Sequence, residues 1–250
     1  MKVLNDLLCE YLPWDSGVFG LRIGRIKANR LSPEAVDQIK EWCLINQIDC
    51  LYFLADSDDN ETISLAEKNQ FHLVDICLTL ERQLSDVSEI TSADGGIEIR
   101  QAEPDDIKTL RAVAKASHHD SRFYYDPKFD DRRCDELYET WIEKSCRGYA
   151  DIVFVAALQE KPVGYITCHI VDEAKGRIGL FAIGPKSQGK GIGRQLINRS
   201  LSWCAACGLD QVSVVTQGRN HKAQRLYQSL DFRTKEVGLW YHSWFSSERE

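Results

Sequence analysis

A glycine loop, Gln188-Gly189-Lys190-Gly191-Ile192-Gly193, does most to limit what this chain can fold into. The apolar run Ile178 to Ile183 precedes it, and a run with helical spacing, Gln195 to Cys207, follows. That order predicts a strand, a loop and a helix. Such a junction aims unpaired backbone N–H groups and the positive helix end at one point, which suits an anion such as a pyrophosphate. Glycines let the anion come into contact with the main chain. The spacing sets this loop apart from two better-known ones. A dinucleotide fold wants G-x-G-x-x-G with an acid about 20 positions on; here the pattern is Q-x-x-G-x-G, and Leu209 holds the later position. A P-loop wants Lys-Ser or Lys-Thr after its last glycine, whereas Arg194 follows Gly193.

The chain has 250 residues, 43% hydrophobic and 28% charged, which is enough apolar material for a core and reads as soluble and globular. No apolar run approaches the roughly 18 residues of a membrane span. Met1 to Tyr11 lacks a basic segment followed by an apolar one, so a secretory signal is not expected. The net charge of −7 argues against nonspecific nucleic-acid binding and against adhesion to acidic membranes. It leaves room for a local basic pocket. Nine cysteines, several in apolar stretches (Cys43, Cys50, Cys77, Cys168), read as reduced core thiols of a cytoplasmic protein. Cys204 and Cys207 have redox-like spacing, but they fall inside a helix, and no second pair completes a metal site. No metal is expected.

Two segments are predicted. In residues 97–245, Ile97 to Arg100 alternates like a strand, and Glu103-Pro104-Asp105-Asp106 opens a helix with Pro and acids in the first turn. A second helix spans Asp130 to Cys146. Strands follow at Ile152–Leu158 and Val163–Val171, then the glycine-loop unit, a strand at Val212–Thr216, a helix from Asn220 and a last strand from Phe232. Residues 85–96 are polar, contain Asp-Gly-Gly and read as a linker. Residues 1–84 form a smaller αβ segment, with strands near Leu21–Ile26, Cys50–Ala55 and Phe71–Leu80 and helices after Ser32 and from Asn60. Leu65 to Phe71 echoes Leu226 to Phe232, which suggests a degenerate copy of the second segment. In that copy Ala66 stands where the second segment has Tyr227, and no glycine loop occurs.

The glycine loop, the strand Leu180-Phe181-Ala182-Ile183, the run Asn220-His221-Lys222-Ala223-Gln224-Arg225-Leu226-Tyr227 and the turn Leu230-Asp231-Phe232 together resemble the GCN5-related N-acetyltransferases (GNATs) over roughly residues 96–245. The resemblance implies an α/β (α+β) fold whose mixed, mostly antiparallel central sheet is flanked by helices. It implies acetyl-CoA as co-substrate. Phe181, Ala182 and Ile183 would line a splayed donor strand whose freed amides bond the pantetheine arm and polarise the thioester. Gln188, Gly189, Lys190, Gly191, Ile192 and Gly193 would hold the pyrophosphate, and Asn220 the pantetheine or its own helix start. Tyr227 is the implied general acid, a phenol protonated at neutral pH beside the departing sulfur. The general base stays open among His118, His119, Asp120, His169 and a chain of waters.

For the acceptor, Leu12 to Gly20, Ser121-Arg122-Phe123, Trp141-Ile142-Glu143 and Arg147-Gly148 are similar to the two-domain acetyltransferases of dTDP-4-amino-4,6-dideoxygalactose. A small-molecule acceptor of that kind, a dTDP-amino sugar, would meet His118, Arg122, Tyr124 and Arg147, with Tyr125 beside them. Guanidinium groups would face phosphates and rings would stack on the base. An acetyltransferase for another amine (a protein N-terminus, an aminoglycoside, an amino acid) and a non-catalytic coenzyme A-binding module are the alternatives. The resemblance admits a homodimer.

Overall fold

The computed structural model describes residues 8–85 and 96–245; most of the expected linker lies outside them. The first segment contains β1 (Cys9–Tyr11), α1 (Pro13–Phe19), β2 (Ile23–Ile26), α2 (Pro33–Ile45), β3 (Cys50–Asp56), α3 (Asn60–Lys68) and β4 (His72–Gln83). The second begins with β5 (Ile97–Gln101), α4 (Ile107–Lys115), the single-turn α5 (Arg122–Tyr125) and α6 (Asp131–Lys144). It continues through β6 (Ile152–Leu158), β7 (Lys161–Ile170), β8 (Lys175–Ile183), α7 (Ile192–Ala206), β9 (Gln211–Gln217), α8 (His221–Gln228) and β10 (Arg233–Trp244). Helix starts follow local chemistry. Ser32 caps α2 by accepting from Ala35 N at 3.2 Å, with Pro33 in the first turn.

The ten strands of the described residues form one mixed, mostly antiparallel sheet in the order β1-β2-β3-β10-β4-β9-β8-β7-β6-β5. The two sequence segments are therefore not side by side. The last strand of the second, β10, lies between β3 and β4 of the first, and β4 in turn lies against β9. The exchange is symmetrical. β3, α3 and β4 recur in the second segment as β9, α8 and β10 at one constant sequence offset: Cys50–Asp56 against Gln211–Gln217, and His72–Gln83 against Arg233–Trp244. Cys77 pairs with Gly238, its own counterpart at that offset, and Leu78–Thr216 matches Leu239–Ala55. A local two-fold thus passes between β4 and β10.

Alternation along the strands divides the core between the two faces. On one face α7 and α8 cover Phe154, Ile166, Ile178 and Val214, and α2 and α3 cover Leu51, Phe53 and Tyr241. On the other, α1, α4, α5 and α6 share one cluster that mixes the segments: Phe19, Cys50 and Tyr52 pack with Phe123, Phe129, Leu137 and Tyr165. Phe19 and Phe129 ring centres are 4.4 Å apart. Burying each such ring is worth roughly 1.5–3 kcal/mol, so helices of the second segment hold strands of the first. All nine cysteines are free thiols; only Cys146 and Cys207 reach the surface to any degree.

Candidate active site

The parallel ladder between β8 and β9 runs from Lys175–Gln211 to Ile178–Val214 and ends there, although both strands continue. β8 stays paired to β7 as far as Ile183–Gly164, with a bulge between Ile178 and Phe181. Thr167 Oγ1 accepts from Leu180 N at 2.8 Å and satisfies the amide that the bulge takes out of the ladder. Gly184 N–H turns to Val163 O at 2.8 Å. By alternation, Ile183 and Phe181 then present their amides to the opening between β8 and β9, while Ala182 faces β7. Ala182 is a wall residue there, not an amide donor to the cleft. Strands that part company leave backbone donors without a ladder partner, and an extended ligand rich in amides is the kind that restores them.

The glycine loop closes one end of this opening. Gly189 and Gly191 have φ of 79° and 78°, a left-handed region that a side chain would strain, and Gly191 caps α7. A Cβ at either would meet nothing within 4 Å, so the loop backbone faces open space. Gly193 is small for a different reason: a Cβ would lie 2.9 Å from Leu226 Cδ2 and 3.2 Å from Phe181 Cζ. Ile192 is buried and anchors the loop in the core. Gln188 Nε2 donates to Ile183 O at 3.1 Å and ties the loop to the strand end. Lys190 is exposed. This geometry fits a pyrophosphate on the loop amides and an amide-bearing arm along β8.

Tyr227 reaches the same place from α8. It is 3% exposed, with its ring centre 6.1 Å from Phe181 and 5.4 Å from Phe232. Burial pushes its hydroxyl well above the ordinary value, so the proton is retained throughout the neutral range. Asn220 caps α8 by accepting from Ala223 N at 3.1 Å.

The acceptor-side residues are gathered unevenly. His118 Nε2 shares a 2.8 Å hydrogen bond with Tyr165 Oη and stacks on Tyr138 at 4.5 Å. Burial, then His119, pushes it down to about 4, so it is neutral. Tyr124 Oη donates to Asp135 at 2.8 Å, and its ring lies 4.7 Å from His119. Arg122 stands inside an aromatic cage, its guanidinium carbon 4.6, 4.1 and 4.2 Å from the ring centres of Tyr52, Phe123 and Trp240. Its Nε donates to His242 Nε2 at 3.2 Å, and His242 Nδ1 donates to Asp126 at 2.7 Å. Arg147 is not brought to Arg122. It follows Glu143 by one helical turn, donates to that carboxylate at 3.0 Å and lines an open groove with Arg111 and Glu139. Trp141 and Lys144, on another face of α6, line a different cavity. His169 lies near the other end of the β7–β8 ladder, opposite Arg177 and far along the strand from Ile183.

Sequence reasoning missed Asp75. It lies on β4, 4% exposed; the Ile76 amide donates to it at 2.9 Å, and Arg219 Nη1 forms a longer ion pair with it at 3.8 Å. Burial, opposed by Arg219, raises its carboxyl to about 6. Arg219 follows β9 and donates to Val74 O at 2.9 Å, with its guanidinium carbon 3.5 Å from the Tyr125 ring centre. Asp75 is also the cross-strand partner of Trp240, on which Arg122 rests. The signal was present: an acid inside the apolar run His72-Leu73-Val74-Asp75-Ile76-Cys77-Leu78 is out of place unless it has work to do.

Residues 113–232 match the model of the acetyltransferase (GNAT) family. The chain carries a domain of that family there and is an N-acetyltransferase in class; the family uses acetyl-CoA. It is 27% identical to a dTDP-fucosamine acetyltransferase of Escherichia coli O6:H1 over 92% of this chain and 96% of that protein. It is 26% identical to the spore coat polysaccharide biosynthesis protein SpsD of Bacillus subtilis over 60% of this chain and 52% of that one. A GCN5-related N-acetyltransferase from Sphaerobacter thermophilus superposes with a TM-score of 0.68 at 14% identity, covering 94% of this chain and 76% of that one, which establishes likeness of fold. Among the described residues, no helix is long and apolar enough to cross a membrane, and no group of three or more His, Cys, Asp or Glu is placed to hold a metal ion.

Proposed function

We propose that the chain acetylates the amine of a nucleotide-linked amino-deoxysugar, a dTDP-amino sugar, by direct attack of the amine on the acetyl-CoA thioester. The observation that carries the donor half is the opening where β8 leaves β9, bounded by a left-handed glycine loop and the buried Tyr227. The acceptor half is supported by similarity to the dTDP-fucosamine acetyltransferase along nearly the whole chain, first segment included. That segment supplies Asp75, so both segments contribute to one site.

In this reading the loop amides of 189–193, with Lys190, hold the pyrophosphate, and the Phe181 and Ile183 amides hold the pantetheine arm and polarise the carbonyl. Asp75, a carboxylate at neutral pH and a stronger base than most, takes the amine proton through a water. The nitrogen bonds to the acetyl carbon, the carbon–sulfur bond breaks, and Tyr227 gives its proton to sulfur. His118, Arg122 and Tyr124 shape the acceptor side. Residues 1–84 are a degenerate half without a donor site of its own: Ala66, fully buried, stands in the place of Tyr227. Free thiols throughout fit a reducing, cytoplasmic setting.

The test is release of coenzyme A from acetyl-CoA with a panel of amines: dTDP-4-amino-4,6-dideoxygalactose, its gluco epimer, peptide N-termini and aminoglycosides. Turnover with a nucleotide sugar at least about 100-fold above the other classes, a gap of roughly 2.7 kcal/mol, is expected. Preference for a peptide or an aminoglycoside would overturn the substrate class.

A further inference from the structure

A second cavity of about 410 Å³ lies where α1 and β2 of the first segment meet α5 and α6 of the second. Nothing in the donor chemistry uses it. Its walls carry three cations, Arg25, Arg122 and Lys144, and one acid, Asp15; Arg25 is itself ion-paired with Glu10. That excess of positive charge is local, in a chain whose net charge is −7. Charges of one sign gathered in a concave, partly apolar site attract an anion far more than the same charges spread over a surface.

Apart from Leu137, the remaining walls are aromatic. Lys144 Nζ stands 5.0 Å from the Trp14 ring centre and 5.9 Å from that of Tyr149. Trp14 meets Trp141 edge-on at 5.8 Å. Tyr149 is 57% exposed, an unusual surface for a large ring in an otherwise charged region. Arg122 joins the cavity to the site described above. Its guanidinium is fixed by the rings under it and by the His242–Asp126 pair behind it, and one of those rings, Trp240, is the cross-strand neighbour of Asp75. A molecule with its amine near Asp75 and its anionic part on Arg122 would therefore extend into this cavity.

We propose that this cavity is the seat of a nucleoside diphosphate, with the two phosphates on Arg122, Lys144 and Arg25 and the base against Trp14 and Tyr149. The negative phosphates of a sugar-linked diphosphate complement Arg122 and Lys144, and the flat rings give a base its apolar faces. Asp15 offers an acceptor to a ribose hydroxyl. The inference rests on the reading that the acceptor is a nucleotide-linked amine, and it assigns recognition of the nucleotide to the joint between the segments.

The experiment measures binding of dTDP, UDP, GDP and inorganic pyrophosphate to the full chain by calorimetry, without acetyl-CoA. Saturable binding of at least one nucleoside diphosphate is expected, with pyrophosphate about tenfold weaker, since it lacks the base. Lys144→Met and Tyr149→Ala, both at exposed positions, should each weaken nucleotide binding about tenfold and raise KM for the nucleotide sugar with little change in kcat. Lys144→Arg should retain affinity. Lys108→Met, in the open groove that Arg147 and Arg111 line, should change nothing. No binding of any nucleoside diphosphate, or binding indifferent to both substitutions, overturns the assignment. Pyrophosphate binding as tightly as nucleotide overturns the base contact. Nucleotide binding without sugar acetylation would refute the acceptor reading and leave the cavity standing; acetylation of a nucleotide sugar with KM unmoved by both variants would do the reverse.

Discussion

Asp75→Asn keeps the shape of a buried side chain and removes its charge. Burial, against the pull of Arg219 and the Ile76 amide, lifts this carboxyl from 3.8 to about 6. The folded protein thus binds the proton more tightly than the unfolded chain. Relative to the asparagine variant, the wild type has its full stability below about pH 4, loses it as pH climbs toward 6, and stays lower above that. The gap corresponds to about 3 kcal/mol at 1.36 kcal/mol per pH unit. Urea unfolding of both proteins at pH 4 and pH 8 should show the difference in unfolding free energy moving by about that amount, in favour of the variant at pH 8. Activity should move the other way. The base must be ionised, so wild-type kcat/KM should rise with pH through an apparent value near 6, and the variant should lose about 10²- to 10⁴-fold. A variant that turns over normally, together with a wild-type profile flat from pH 5 to 8, would refute the role. A stability difference indifferent to pH would refute the burial argument.

Tyr227→Phe should lower kcat about 10²-fold or more and leave the Kd for acetyl-CoA nearly unchanged, as steady-state kinetics and calorimetry would show. Gly191→Ala places a Cβ at φ 78° and should cost about 1–2 kcal/mol in thermal unfolding while weakening acetyl-CoA binding. For Asp126, burial opposes ionisation, but hydrogen bonds from His242 and Trp244 prevail and hold its carboxyl below the usual range. Its contribution is therefore present above the unfolded value and lost as pH falls: Asp126→Asn should destabilise at pH 7, with a difference that shrinks below pH 4, and should raise acceptor KM by freeing Arg122. Phe123→Ala should cost about 3–5 kcal/mol, because that ring holds the two segments together.

The donor side was legible because its signals are local. A strand, a glycine loop and a helix occupy consecutive residues, and the left-handed glycines that the loop needs are written in the sequence at 189 and 191. Helix starts at Ser32 and near Pro104 were legible for the same reason. The exchange of β4 and β10 was not, since strand pairing depends on partners far apart in the chain; only the echo between Leu65–Phe71 and Leu226–Phe232 hinted at it. The short α1 carries too few turns for a periodic pattern. Arg147 was grouped with Arg122 by resemblance, although it lies one turn after Glu143, just past the end of α6, in the groove with Arg111 and Glu139. Asp75 was overlooked because it lies in the segment that lacks a glycine loop, and strand exchange sets it opposite Trp240, on which Arg122 rests.

A crystal structure of the complex with coenzyme A bears most directly on the account. It should place the pyrophosphate on the amides of 189–193, the pantetheine between β8 and β9, and the sulfur within hydrogen-bonding distance of Tyr227 Oη. Coenzyme bound elsewhere, or a sulfur beyond the reach of that hydroxyl, would contradict it.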